Sequence, residues 1–248
     1  MRVSRTLCMG ASLVAGVVAV AVTVPPQVAG ATGRSHLSAS ALYKDALAAT
    51  KGWSVHYASA GTVSGVTILE SGDAGPTAGT QEVLVGQGAN TDNAELVVIG
   101  NTTYMKANAR ALVDLTGLSD AQATANSGKW VQFATDNQAF AQVVVGIRSH
   151  DVAQELELKG PYSLGPTKTL NGVAVEAIRG TQHFQGLKAM KAILYIRANG
   201  THVPVEEDTV NAKGKDNGVE HTVYSQWGEM VRPLAPSAAV SIGPVGTT

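Results

Sequence analysis

The sequence predicts an α+β fold: a large curved antiparallel sheet with helices segregated to one side. Three observations predict it. Apolar and polar residues alternate with a period of two in both halves of the chain, as half-buried antiparallel strands require. Between them, from about Ala107 to Leu158, the alternation stops and Ala- and Leu-rich sequence at helical spacing takes over. Breakers centred on glycine and asparagine punctuate the alternating stretches at hairpin intervals. Strands, then helices, then strands is the order of a fold whose helices pack on one face of an antiparallel sheet.

The amino end is expected to lie outside that fold. Arg2 and Arg5 precede an apolar stretch from Ala11 to Val24, followed by Pro25-Pro26 and the small-residue triplet Ala29-Gly30-Ala31. This is the order of a secretory signal, with cleavage after Ala31. The apolar stretch falls short of the ~20 residues that span a bilayer. Cys8, the one cysteine of the chain, precedes most of that stretch, so it reads as a leader residue and not as a lipid-attachment site. Removing residues 1–31 takes two of the 18 basic residues and none of the 19 acidic ones, which leaves a formal charge of −3. Residues 32–248 contain no solenoid repeat, low-complexity tract or linker, and are expected to form one domain with an extended carboxyl-terminal tail.

Within the domain, Ser38 or Ser40 caps a first helix whose apolar positions are Leu42, Ala46 and Leu47 and which Lys51-Gly52 ends. Strands follow around Trp53 to Ala58, Val66 to Ile68, Val83 to Val85, Glu95 to Ile99 and Thr103 to Lys106. Gly61, Gly65, Ser71-Gly72-Asp73, Gly86 to Asn90 and Gly100-Asn101 are expected as the turns of a meander. A short helix is expected over 110–124 and a longer, broken one over 137–157, recapped at Ser149 or Asp151. Strands resume at Gly172 to Ile178, Met190 to Ile196, Val203 to Val210 and Val219 to Trp227. Met190, Ala192, Leu194 and Ile196 share a dry face, with Lys191, Tyr195 and Arg197 on a wet one. Pro233, Pro236 and Pro244 mark the tail as extended and outside the ladder.

Composition and motifs exclude several classes of chemistry. With 44% apolar and 15% charged residues the chain is globular, and its near-balanced charge offers no footprint for nucleic acid. Ser149-His150-Asp151 has triad residue types, but sequence neighbours cannot converge on one proton path, so it reads as a helix-capping cluster. Gly61-Thr62-Val63-Ser64-Gly65 has its serine one place late for a nucleophile elbow. Gly128-Lys129 lacks the first glycine and the following hydroxyl of a phosphate loop. The six histidines show no metal-ligating spacing, and Glu206-Glu207-Asp208 reads as a solvated acidic face. The expectation is a protein that is not an enzyme and carries no metal.

Short motifs occur in a recognisable order: Ile99-Gly100-Asn101-Thr102-Thr103-Tyr104-Met105-Lys106, Gly128-Lys129-Trp130-Val131, Leu170-Asn171-Gly172-Val173 and Ala192-Ile193-Leu194-Tyr195-Ile196. Val203-Pro204-Val205, Tyr224-Ser225-Gln226-Trp227-Gly228 and Leu234-Ala235-Pro236 continue the series. In these words, from about Ser38 to Ile242, the chain resembles the LppX/LprG family of actinobacterial envelope lipoproteins, which belongs with the LolA/LolB-like proteins. The resemblance implies an unclosed half-barrel whose concave face is covered by helices, leaving an apolar cavity for the acyl chains of lipids or glycolipids. It implies no cofactor. The chain departs from the family at the lipobox, which puts membrane tethering in doubt.

Parity places Trp53, Val55, Tyr57, Val66, Ile68, Leu96, Val98, Leu194 and Ile196 on the concave face, with Phe140, Val144 and Ile147 on the facing helix; these are the expected cavity lining. Alanines 107, 109, 111, 121, 123, 125, 139 and 141 leave few large side chains to fill a wide trough. The function expected is binding or carriage of lipid by an exported protein of the cell envelope, in transient contact with the membrane. The alternative is an envelope sensor or adaptor of the same fold that acts on a protein partner.

Overall fold

The strands are longer than sequence alternation alone suggests. In a computed structural model that describes residues 37–63, 65–87, 90–134, 144, 146–183, 189–211 and 218–242, the amino-terminal meander comprises β1 (Val55–Val63), β2 (Val66–Ala74), β3 (Ala78–Gln87), β4 (Asn90–Ile99) and β5 (Thr102–Ala107). Ahead of it runs α1 (Ala39–Gly52), capped by the Ser38 hydroxyl, which accepts from the Ala41 amide at 3.2 Å. Gly72, expected in a turn, lies inside β2 opposite Tyr57 of β1, and a Cβ there would come within 2.9 Å of the Tyr57 hydroxyl. Gly61 likewise lies inside β1, where a Cβ would meet the Val219 carbonyl at 2.9 Å. These glycines mark crowding on the inside of a coiled sheet, where a side chain has no room.

Two short helices, α2 (Ala109–Thr116) and α3 (Asp120–Asn126), replace the single one expected over 110–124. Gly117, at φ 69°, ends α2, and Ser119 with Gln122 opens α3 as a capping box. Strand β6 (Trp130–Ala134), not anticipated from the sequence, then pairs with β5. Of the long helix expected over 137–157, the described residues contain α4 (Ser149–Glu155), which begins where recapping was expected. Its N-cap is Arg148, one residue ahead of the expected Ser149, and the Asp151 carboxylate at the third helical position accepts the Arg148 amide at 3.2 Å.

The second half adds β7 (Leu158–Leu164), β8 (Lys168–Leu170), β9 (Val173–Gln182), β10 (Met190–Arg197), β11 (Pro204–Asn211), β12 (Gly218–Ser225) and β13 (Val240–Ser241). The sequence reading missed β7 and β8. The sheet order is β13-β6-β5-β4-β3-β2-β1-β12-β11-β10-β9-β7, with β8 also on β9. Two meanders are thus joined by the antiparallel pair β1–β12, in which Tyr57 faces Tyr224. The tail departs from expectation, because Val240 and Ser241 pair in parallel with Val131 and Gln132 of β6. The last described proline, Pro236, lies upstream of that pair, so the amides needed for pairing are free.

The concave face carries two cores. One joins Leu42, Tyr43 and Ala46 of α1 with Val152 and Leu156 to Val55, Tyr57, Ile178, Leu194 and Ile196. The other joins Ala111 and Leu112 of α2 and Ala123 of α3 to Leu96, Val98, Met105, Val131 and Ile147. Tyr43 locks the first, donating to the Leu156 carbonyl at 3.2 Å and accepting the Leu158 amide at 2.6 Å. The supposed wet face of β10 is corrected as well: Tyr195 is buried with Val175, Ala177 and Val205, and the Lys168 ammonium sits 3.6 Å from the centre of its ring. β7 and β8 both pair along the free edge of β9, and the Gly165 amide, bonded to the Ala177 carbonyl at 2.7 Å, continues the pairing between them.

A candidate ligand-binding trough

The expected lining residues do not meet at one place on the concave face; most of them are divided between the two cores. Val55, Tyr57, Leu194 and Ile196 are buried in the α1–α4 core, and Leu96, Val98 and Ile147 in the α2–α3 core, with Val144 packed at its margin. Ile147 is not helical; its backbone lies directly on Gly79 of β3, so closely that a Cβ at Gly79 would overlap the Ile147 carbonyl oxygen. Val66 and Ile68 share the concave face, through the Val63–Val66 and Gly61–Ile68 pairs, but are half-buried and belong to neither core. Trp53 is a correction, since it follows α1 as its C-cap, ahead of β1, and is 39% exposed. The helix ends at Gly52, as expected, and the strand begins at Val55, two residues later than alternation suggested. Phe140 lies outside the described residues.

A strip of polar side chains crosses the same face. The pairs Ser59–Thr222, Thr222–Glu207 and Ser59–Glu70 place these groups side by side across β2, β1, β12 and β11. Glu220 and Thr209 sit one step along, and Tyr57 and Tyr224 one step the other way. The Thr222 hydroxyl lies 3.1 Å from that of Ser59, which in turn donates to Glu220 at 2.7 Å. Tyr224 reaches Glu207 Oε2 at 3.5 Å, and Gln81 reaches Glu70 Oε2 at the same distance. Glu207 Oε1 and Thr209 Oγ1 are fully buried and have no hydrogen-bond partner among the described residues. A buried polar atom left unpaired costs roughly 1–3 kcal/mol, so this strip is expensive unless something in the trough engages it.

Glu207 corrects the expectation of a solvated acidic face at 206–208. Strand alternation splits the three residues: Glu207 turns inward and is 5% exposed, while Glu206 accepts from Asn171 Nδ2 at 3.3 Å and Asp208 pairs with His221 at 2.7 Å. Burial first, and the neighbouring Glu220 charge second, push the Glu207 carboxyl up from 4.5 to about 8. Burial also raises the Tyr224 phenol well above its ordinary value. Near neutral pH Glu207 is therefore mostly an uncharged acid, able to donate a proton in a hydrogen bond as well as accept one. The parity of β11 was readable in the sequence; that both faces of this strand are covered was not.

At the other end of the face, buried Asp92 of β4 is held by Arg110 of α2, Nε to Oδ1 3.1 Å. On the β1–β3 rim, His56 and Asp73, 2.8 Å apart, line a polar pocket of about 270 Å³ together with Glu229 and Arg232 of the tail. Ser149-His150-Asp151 opens α4, with the imidazole Nε2 2.9 Å from Asp151 and Asp151 engaged in the cap, so the three residues do not form a relay. Among the described residues no helix is long and apolar enough to cross a membrane.

No protein-family model and no curated protein matches the chain. Among solved structures, LprF from Mycobacterium bovis is similar at 14% identity, covering 80% of this chain and 96% of its own, with a TM-score of 0.52. The Mycobacterium tuberculosis lipoprotein LppX aligns at 17% identity over 78% of this chain and 97% of its own, with a TM-score of 0.46. The likeness to LprF establishes the fold, an open, curved α+β half-barrel of the LolA type.

Proposed function

We propose that this chain is an exported protein of the bacterial cell envelope that binds or carries lipid by burying acyl chains in the concave trough. The observation that carries the reading is the division of the concave face. Two closed cores sit under two helix pairs, and Val66, Ile68 and Val85 lie half-buried on the same face in neither of them. Ala-rich α2 and α3 are too slight to fill a wide sheet, which supports a trough over a fully closed core. Recognition by burial is sufficient: at about 0.8 kcal/mol per methylene, a sixteen-carbon chain gains on the order of 12 kcal/mol before the costs of binding. In this reading residues 1–31 are a secretory signal, residues 32–248 are the carrier domain, and no residue has a catalytic role.

The test is mass spectrometry of lipid extracted from the purified protein. One acyl species per chain is the expected result. A lipid-free protein that holds a protein partner tightly would overturn carriage in favour of an adaptor.

A further inference from the structure

The polar strip is not needed to bury an acyl chain, and an apolar trough would be better without it. Its composition is specific. Ser59, Thr209, Glu207, Glu220 and Thr222 come from three adjacent strands onto one face, and two of their buried oxygens, Glu207 Oε1 and Thr209 Oγ1, have no hydrogen-bond partner among the described residues. Both lie on β11 two residues apart, so they point to the same side and can serve one small group between them. Glu207 is 5% exposed and Thr209 2%. The described concave positions of β1, β2, β3, β10, β11 and β12 include no lysine or arginine, whereas Glu70, Glu207 and Glu220 are all there. A phosphate or carboxylate would meet carboxyl groups and no cation.

Resting on the carrier reading, we propose that Glu207 and Thr209 form a subsite inside the trough for the hydroxyl of an uncharged lipid, so that the protein selects hydroxyl-bearing neutral amphiphiles over anionic ones. A hydroxyl matches the pair because it donates once and accepts twice. The Glu207 acid proton supplies a donor, and the Thr209 hydroxyl donates or accepts by rotating. Ser59, Thr222 and Glu220 are engaged with one another and frame the subsite.

The experiment is displacement of a fluorescent fatty-acyl probe, at pH 6, from protein made by expressing the full chain. Three competitors share one acyl chain: monooleoylglycerol, methyl oleate and oleoyl lysophosphatidic acid. Wild type should bind monooleoylglycerol about tenfold more tightly than methyl oleate, the ratio expected of two neutral hydrogen bonds, and should bind the phosphate compound most weakly. Thr209→Val, which keeps the shape and removes the hydroxyl, and Glu207→Met should each erase most of that preference while leaving the affinity for methyl oleate unchanged or higher. Thr209→Val serves alone if Glu207→Met does not fold. Binding with no preference in wild type, or a preference that both variants keep, would overturn the subsite and leave the carrier reading standing. Binding of none of the three would overturn the carrier reading itself.

Discussion

Replacing Glu207 by glutamine should stabilise the protein above neutral pH and leave it nearly unchanged in acid. The carboxyl is buried beside Glu220, with Tyr224 and Asp208 as the other titratable neighbours, and its folded pKa stands at about 8 against 4.5 for an ordinary glutamate. The folded state thus holds a proton that the unfolded state releases between those values. Stability falls as pH rises through this window, because the unfolded state binds fewer protons there. Below pH ~4.5 both states are protonated and nothing is lost. Well above pH ~8 the loss is complete, at 1.36 kcal/mol per unit of difference, on the order of 5 kcal/mol. Glutamine has the same shape, can still accept from the Tyr224 hydroxyl, and cannot ionise. For a domain of this size 1 kcal/mol shifts the Tm by roughly 2–4 °C, so the Tm of the variant should exceed that of wild type by about 10 °C at pH 8.5 and match it near pH 4.5. Thermal unfolding followed by circular dichroism across this pH range reads the gap directly, and titrations common to both proteins cancel. Parallel Tm curves from pH 5 to 9 would show that Glu207 is not buried as an acid.

Trp substitutions separate trough from core. Ile68→Trp should cost less than about 1 kcal/mol in urea unfolding while reducing lipid uptake, whereas Leu194→Trp, inside a closed core, should cost about 1–3 kcal/mol. Gly79→Ala should lower stability by about 2 kcal/mol or more, since its Cβ would overlap the Ile147 backbone, while Gly52→Ala at the end of α1, where nothing lies within 4 Å, should be neutral or slightly stabilising by the same measurement. Amino-terminal sequencing of the exported protein should begin at Thr32; an acyl group on Cys8 would show instead that the leader is retained.

By itself the sequence determined the class of the fold and the order of its elements. Side-chain parity along a strand is a local property, so the inward positions of β10 and of β4 were legible, as were the Ser38 cap and the Gly100-Asn101 turn. Only the tertiary structure decided which glycines turn the chain. Gly61 and Gly72 have the local appearance of turn residues, yet both lie inside strands on the concave face, because coiling a sheet crowds its inner side and the crowding partners are distant in sequence. The same holds for Glu207. Its neighbours Glu206 and Asp208 make it look solvated, and it becomes a buried acid because β12 and β10 flank its strand and place Thr222 and Leu194 opposite it. Whether a strand face is wet or dry depends on what covers it, and that cover comes from elsewhere in the chain.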